Sequence, residues 1–210
     1  MEALKVLERV AGRVAPGPLP SFLEAHILMA LEALSLKPVG RARLSTILGL
    51  GEGVTRTLIR HLKAENLIEV SRIGITLSEY GRRVLRGIRS RISCGLKVPE
   101  SPLTVGAANV AVLVKGASEK VRYGMEQRDA AIKVGAEGAT TLIFKDGRLV
   151  LPGVDEEALR NVEEIYRILK SNLKPEEGDV IIIGSAGDER TAELAAKTAA
   201  LKLLKRVLEE

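Results

Sequence analysis

Arg56, Thr57, Arg60 and Lys63 lie within eight residues of one another. Spaced at about 100° per residue, they share one arc of a helix whose opposite side carries Val54, Leu58, Ile59 and Leu62. No acid falls on the polar arc. A merely solvated helix face mixes both signs, because opposite charges at i,i+4 stabilise it. Three cations and a hydroxyl without an acid suit a polyanion instead: Lys and Arg hold phosphate, and an Arg fork reads a base edge. A solvated basic face is the competing reading. Arg41 and Arg43 precede this helix at the start of another, where they could grip phosphate. Arg72 stands at the tip of a short hairpin, where it could reach a phosphate or a minor groove, or serve as a solvated turn cation.

The elements that would position these side chains follow a recognisable order. Arg41–Gly49 reads as a short helix, Leu50-Gly51-Glu52-Gly53 as a tight turn and Val54–Asn66 as a second helix. Two small strands follow, Leu67–Val70 and Gly74–Leu77, joined by Ser71-Arg72-Ile73-Gly74. A basic helix then begins at Ser78, with Tyr80, Val84, Leu85 and Ile88 inward and Arg82, Arg86 and Arg89 as an outer stripe that suits either a nucleic-acid backbone or water. Helix, turn, helix and hairpin in this order make a winged helix-turn-helix, which lays its second helix in the major groove of DNA. Upstream, Leu4, Leu7, Val10 and Val14 predict a helix over Glu2–Arg13, stopped by Pro16, Pro18 and Pro20. Ser21 is the expected N-cap of a largely apolar helix over Phe22–Ser35. His26 within it reads as an ordinary packed or half-exposed histidine.

Charge distribution agrees with that order. Residues 1–100 hold 16 Lys+Arg against 9 Asp+Glu, and residues 101–210 hold 16 against 18, so the basicity is local. Segment 39–91 alone has 11 basic and 4 acidic residues. Clustered cations on one domain are what counterion release from a duplex rewards. Aromatic residues make up 2% of the chain and Trp is absent, so a stacking platform for single strands is poorly supported and duplex DNA is the expected partner. The lone Cys94 excludes an intramolecular disulfide and a Cys-rich zinc site. No apolar run reaches the roughly 18 residues a membrane helix needs, and Met1–Arg13 does not read as a signal peptide. A cytoplasmic protein without membrane partners is expected.

The second half, from residue 92 onward, changes character after Pro99, Pro102 and Gly106. It reads as strands at Ile92–Val98, Asn109–Lys115, Ala130–Ala136, Thr140–Lys145, Arg148–Leu151 and Asp179–Ile183. Helices are expected at Ser118–Gln127, Glu156–Ser171 and Asp188–Leu208, and Asp146-Gly147 is a strong hairpin signal. The expected class is α+β: a winged helix-turn-helix over residues 1–91, then a two-layer α/β sandwich with a mixed sheet over residues 92–210. Two places there could hold a small anionic effector. One is the turn Gly184-Ser185-Ala186-Gly187 with Asp188, whose backbone N–H groups could face an anion, or which could be a plain strand-to-helix connection capped by Asp188. The other is Arg128-Asp129, a surface pair or an inward pair that orients a ligand. The second half has no histidine, so a Ser-His-Asp or Cys-His nucleophile cannot be assembled within it. Its acids do not recur at metal-ligand spacing. No catalytic residue, metal or cofactor is assigned.

The segment Gly51-Glu-Gly-Val-Thr-Arg-Thr-Leu-Ile-Arg-His-Leu-Lys-Ala-Glu-Asn-Leu-Ile68, closed by Gly74-Ile-Thr-Leu-Ser-Glu-Tyr-Gly81, resembles prokaryotic winged-helix regulators. With Arg128-Asp-Ala-Ala-Ile132 and Gly135-Ala-Glu-Gly-Ala-Thr-Thr-Leu-Ile143, the whole chain resembles an archaeal family in which a winged helix precedes a carboxy-terminal domain of unknown function. The resemblance implies a transcriptional regulator and supplies no ligand or catalytic residue. A homodimer on duplex DNA, with the second domain sensing a small molecule or mediating assembly, is the expected function. A winged helix that binds protein, and an enzyme built on the second domain, are the alternatives.

Overall fold

The computed structural model describes residues 2–12, 19–154 and 161–208. Two compact units meet in sequence between Arg89 and Ser90. Val14, Pro16 and Pro18 lie outside the described residues, as does the stretch 155–160 of the helix expected from Glu156.

The first unit runs α1 (Glu2–Ala11), α2 (Glu24–Leu36), α3 (Arg41–Leu48), α4 (Glu52–Ala64), β1 (Ile68–Ser71), β2 (Gly74–Leu77) and α5 (Glu79–Arg89). Leu4, Leu7 and Val10 are buried on α1, joined by Val6. On α2 the expected cap is corrected. Ser21 is exposed and the helix starts only at Glu24, with Leu23 as the extended N-cap residue. The Leu23 N–H donates to Nδ1 of His26 at 3.0 Å, so an imidazole one turn inside does half the work of a capping box. The helix-turn-helix turn is tighter than expected: Gly49 ends α3 in the left-handed region at φ 65 and Gly51 already caps α4. Asn66, at φ 55, ends the connection to β1. Val39 bridges to Ile75 outside the two named strands, so a third segment pairs with the wing. Ser78 caps α5 through the Gly81 N–H at 2.9 Å, as expected of a helix beginning there.

In the second unit five strands form one sheet in the order β3-β4-β7-β5-β6: Leu96–Val98, Ala108–Val114, Val180–Ala186, Gly138–Lys145 and Arg148–Val150. The α+β class stands, but every pairing is antiparallel where a mixed sheet was expected, and helices cover both faces of the sheet where two layers were expected. Periodicity marks a strand but carries no information on its direction. α6 (Met125–Ile132) and α8 (Glu189–Leu208) cover one face; Ala131, Ala192 and Ala195 pack there with Val110 and Ala186. α7 (Glu163–Leu173) lies over the other, where Ile165 and Leu169 join Leu113, Leu142, Leu149, Ile181 and Ile183. Asp146 and Gly147 make the expected hairpin with φ 50 and 73.

Three expectations in this unit are corrected. Ala130–Ala136 is no strand: α6 runs through Ile132, because alanines that seem to alternate are strong helix formers and their small side chains let α6 approach α8. The helix expected over Ser118–Gln127 is a 3₁₀ turn at Ser118–Lys120, broken before α6 by Gly124 at φ 72. The strand expected to end at Ile183 continues through Gly184, Ser185 and Ala186, because β4 and β5 flank it on both sides.

Two measurements test these local arguments. A Cβ on Gly184 would stand 2.4 Å from the carbonyl oxygen of Ala192 and 2.7 Å from the nitrogen of Ala196. Gly184→Ala should therefore destabilise the second unit by about 1–3 kcal/mol in urea unfolding; an unchanged midpoint would mean α8 does not approach so closely. Burial lowers the His26 pKa from 6.5, so the folded state holds the neutral ring. Its stabilisation is complete above about pH 6.5 and is lost as pH falls through the depressed folded value. The first unit should lose melting temperature on that acid side, and His26→Ala should cost about 1 kcal/mol at neutral pH and flatten the loss.

Candidate nucleic-acid interface

The second helix of the helix-turn-helix, α4, is held by two leucines that periodicity singles out and by two polar residues that it does not. Its buried positions are Thr55, Leu58, His61 and Leu62, whereas Val54 and Ile59, expected inside, are only half-buried. Leu58 and Leu62 supply the apolar contact. His61 donates from Nδ1 to the carbonyl oxygen of Val10 at 2.8 Å, and its ring meets Phe22 edge-on with centroids 5.4 Å apart. A buried imidazole thus ties α4 to the end of α1 and to the residue leading into α2. A polar residue at position 61 gave no signal for burial, since the pattern alone places it at the edge of the polar arc.

The opposite face keeps its cations outward, but α4 begins at Glu52, which stands one turn before Arg56 and brings an acid beside an arc expected to have none. Arg56, Arg60 and Lys63 are exposed, and Thr57 is half-buried with its hydroxyl donating to the Gly53 carbonyl at 3.2 Å. Arg41 and Arg43 are exposed in the first turn of α3, where Gly40 offers no side-chain cap. Arg72 is exposed at the two-residue turn between β1 and β2. Among the described residues none of these six cations has a carboxylate partner.

Two other cations of the unit are matched by carboxylates. Arg9 meets Glu65 at 3.0 Å, and that hydrogen bond is the main cause raising the arginine's pKa. Arg86 lies 3.7 Å from Glu79, and Arg83 stacks over Tyr80 at 5.7 Å. The expected stripe Arg82, Arg86, Arg89 is therefore partly neutralised at its middle member. Two guanidinium groups at the positive end of α3 repel its dipole, an arrangement that an incoming phosphate relieves.

The ligand residues expected in the second unit fall into structural roles. Arg128 and Asp129 lie on α6, not at a helix-to-strand junction, and form a surface pair at 3.4 Å with 53% and 54% of their side chains exposed. Gly184 and Ser185 are buried inside β7, their backbones engaged by strands on both sides. The Ser185 hydroxyl accepts the Val105 N–H at 3.3 Å. Only Gly187 and Asp188 remain as the connection to α8. There the Asp188 carboxylate accepts the Thr191 hydroxyl at 2.6 Å and its N–H at 3.1 Å, and those bonds, the hydroxyl's first, lower its pKa. The end of α8 that could attract an anion already holds the protein's own carboxylate.

Comparisons with known proteins match the two halves of the chain separately. Residues 26–92 match the family described as the CggR N-terminal DNA binding domain, and residues 105–203 match a domain of unknown function, DUF4443. No curated protein matches the chain. Among solved structures it is similar to the hypothetical protein PH0730 from Pyrococcus horikoshii OT3, with 30% identity and a TM-score of 0.73 over 89% of this chain and 95% of that one. The chain therefore belongs to the family that joins a CggR-like amino-terminal DNA-binding domain to a carboxy-terminal DUF4443 domain, with an archaeal structural relative in Pyrococcus.

Proposed function

We propose that this protein is a DNA-binding transcriptional regulator of the cytoplasm. It lays α4 in the major groove of duplex DNA, and its second unit senses a small molecule or joins two copies as a homodimer. The observation that carries the reading is the set of six exposed cations on α3, α4 and the wing without carboxylate partners among the described residues, within a domain similar to a DNA-binding family. Leaving cations unmatched on one surface while matching Arg9 and Arg86 on others costs solubility nothing and favours an external polyanion. Arg56 and Arg60, at the middle of the exposed arc, are assigned to base edges, with Thr57 and Lys63 beside them. Arg41, Arg43 and Arg72 are assigned to the backbone of the duplex.

Selection of bound duplexes from a genomic fragment pool, followed by titration of the recovered site, tests this reading. Arg60→Ala should weaken binding by roughly 1–3 kcal/mol and relax the preference at one base position, whereas Arg43→Ala should weaken all sequences alike. If Arg60→Ala left affinity and preference intact, α4 would not be the reading helix.

Salt dependence gives an independent check on the phosphate assignments. The slope of log affinity against log salt should fall by about 1 for each of Arg41→Ala, Arg43→Ala and Arg72→Ala in the full-length protein. A recovered site with two inverted half-sites about one helical turn apart would match a homodimer. Recovery of single, unpaired half-sites by a monomeric protein would remove that part of the reading.

A further inference from the structure

Among the described residues the second unit exposes five large apolar side chains, and four of them, Val105, Tyr123, Met125 and Ile132, lie on or beside α6. Exposed apolar residues scattered singly need no explanation, whereas a group of them on one surface marks a place of contact. The inner side of α6 is occupied: Ala130 and Ala131 are buried, and the helix packs on α8 and β5. Met125 and Ile132, seven residues apart, share the outer side and remain 55% and 48% exposed. Val105 extends the patch at one edge, where its side chain and that of Arg128 converge to 3.1 and 3.9 Å from the point a Cβ on Gly138 would occupy. Tyr123, two residues before Met125, extends it at the start of the helix.

The charges on this face flank the apolar stripe with opposite signs. At about 100° per residue, Arg128 falls about 50° to one side of the midline through Met125 and Ile132, and Asp129 about 50° to the other. The two make a surface pair at 3.4 Å, a contact worth little in water and cheaply exchanged. Glu126 and Lys133 stand farther round the helix, and Glu126 is already met by Arg206 of α8. A face with a cation on one flank and a carboxylate on the other complements itself. With a two-fold axis running along α6, the Arg128 flank of each copy meets the Asp129 flank of the other, so the pairing occurs twice. An axis across the helix would set each arginine against its counterpart, so the charges select parallel helices.

We propose that the α6 face is the surface through which two copies of this chain form a dimer. Met125 and Ile132 of each copy pack on their counterparts, Val105 and Tyr123 add apolar area at the rim, and Arg128 and Asp129 pair across the axis. A partner of one charge sign would gain at one flank and be repelled at the other, which favours a second copy over an acidic or a basic protein. This names the surface for the homodimer reading above and rests on it.

The test is sedimentation velocity of the full-length protein over a concentration series. The parent should sediment as a dimer. Ile132→Asp should weaken self-association by about tenfold or more, and so should Arg128→Glu and Asp129→Arg singly, each of which sets two like-charged pairs across the axis. An equimolar mixture of the Arg128→Glu and Asp129→Arg chains should restore the dimer, because every pair between the two chains is again of opposite sign. Lys145→Glu makes the same charge change as Arg128→Glu at the exposed end of β5 and should shift the equilibrium by no more than about twofold. Only folded chains can regain association on mixing, so a mixture that stays monomeric overturns the proposal. A dimer that survives all three substitutions overturns it as well, and leaves the homodimer reading standing on another surface. A parent that sediments as a monomer ends both, whereas the regulator reading is decided separately by the duplex selection.

Discussion

The hydrogen bond from the His61 ring to the Val10 carbonyl, with Phe22 against the imidazole edge, is the contact on which the exposed basic face of α4 depends. A helix presented to a groove must be rigid in rotation, because a turn of about 100° exchanges one side chain for the next. Leu58 and Leu62 bury α4 but permit some rolling, as apolar contacts have no direction. A buried donor and acceptor 2.8 Å apart do not, since a roll would leave both unsatisfied at a cost of about 1–3 kcal/mol. His61 therefore sets which arc of α4 faces outward. The position of Arg56, Arg60 and Lys63 follows from it.

The same unit shows two histidines used in opposite senses. His61 donates through Nδ1 and His26 accepts through Nδ1. Only the second bond is lost when the ring takes a proton, and burial of that ring disfavours the proton. The wing is also anchored more firmly than a two-strand hairpin would be. Val39 and Ile75 exchange backbone hydrogen bonds at 2.9 and 3.0 Å, and Gly74 at φ 133 lets the Val39 backbone come close. Arg72 is consequently carried on a braced turn rather than on an isolated hairpin.

In the second unit the controlling constraint is close approach of helix to sheet. Gly184 places the β7 backbone against α8, and Ala192, Ala195, Ala131 and Ala186 keep that face shallow. The opposite face is built largely from Leu and Ile with α7. A cavity lined by Leu149, Leu151, Val162 and Tyr166 lies at its margin.

Much of this was legible in the sequence, because local rules act on neighbouring residues. The helix-turn-helix order, the wing, the cap at Ser78, the Asp146-Gly147 hairpin and the outward cations on α4 all follow from periodicity, turn chemistry and charge sign. The failures share a physical cause. Ser21 was the better cap by residue type, but His26 reached the free N–H once α2 was packed. Gly184 and Ser185 read as a turn because glycine and serine favour turns, yet strands on both sides drew them into β7. Ala130–Ala136 alternated by accident: its first three residues end α6 against α8, and the rest turns toward β5. The burial of His61 and the cavity beside Tyr166 depend on residues far apart in the chain, Val10 with His61 and Arg148 with Arg167. Sequence determined which residues carry charge and where local structure starts and stops; tertiary structure decided which polar groups lie inside and where space is left, because burial and cavities are properties of elements brought together and not of any one segment.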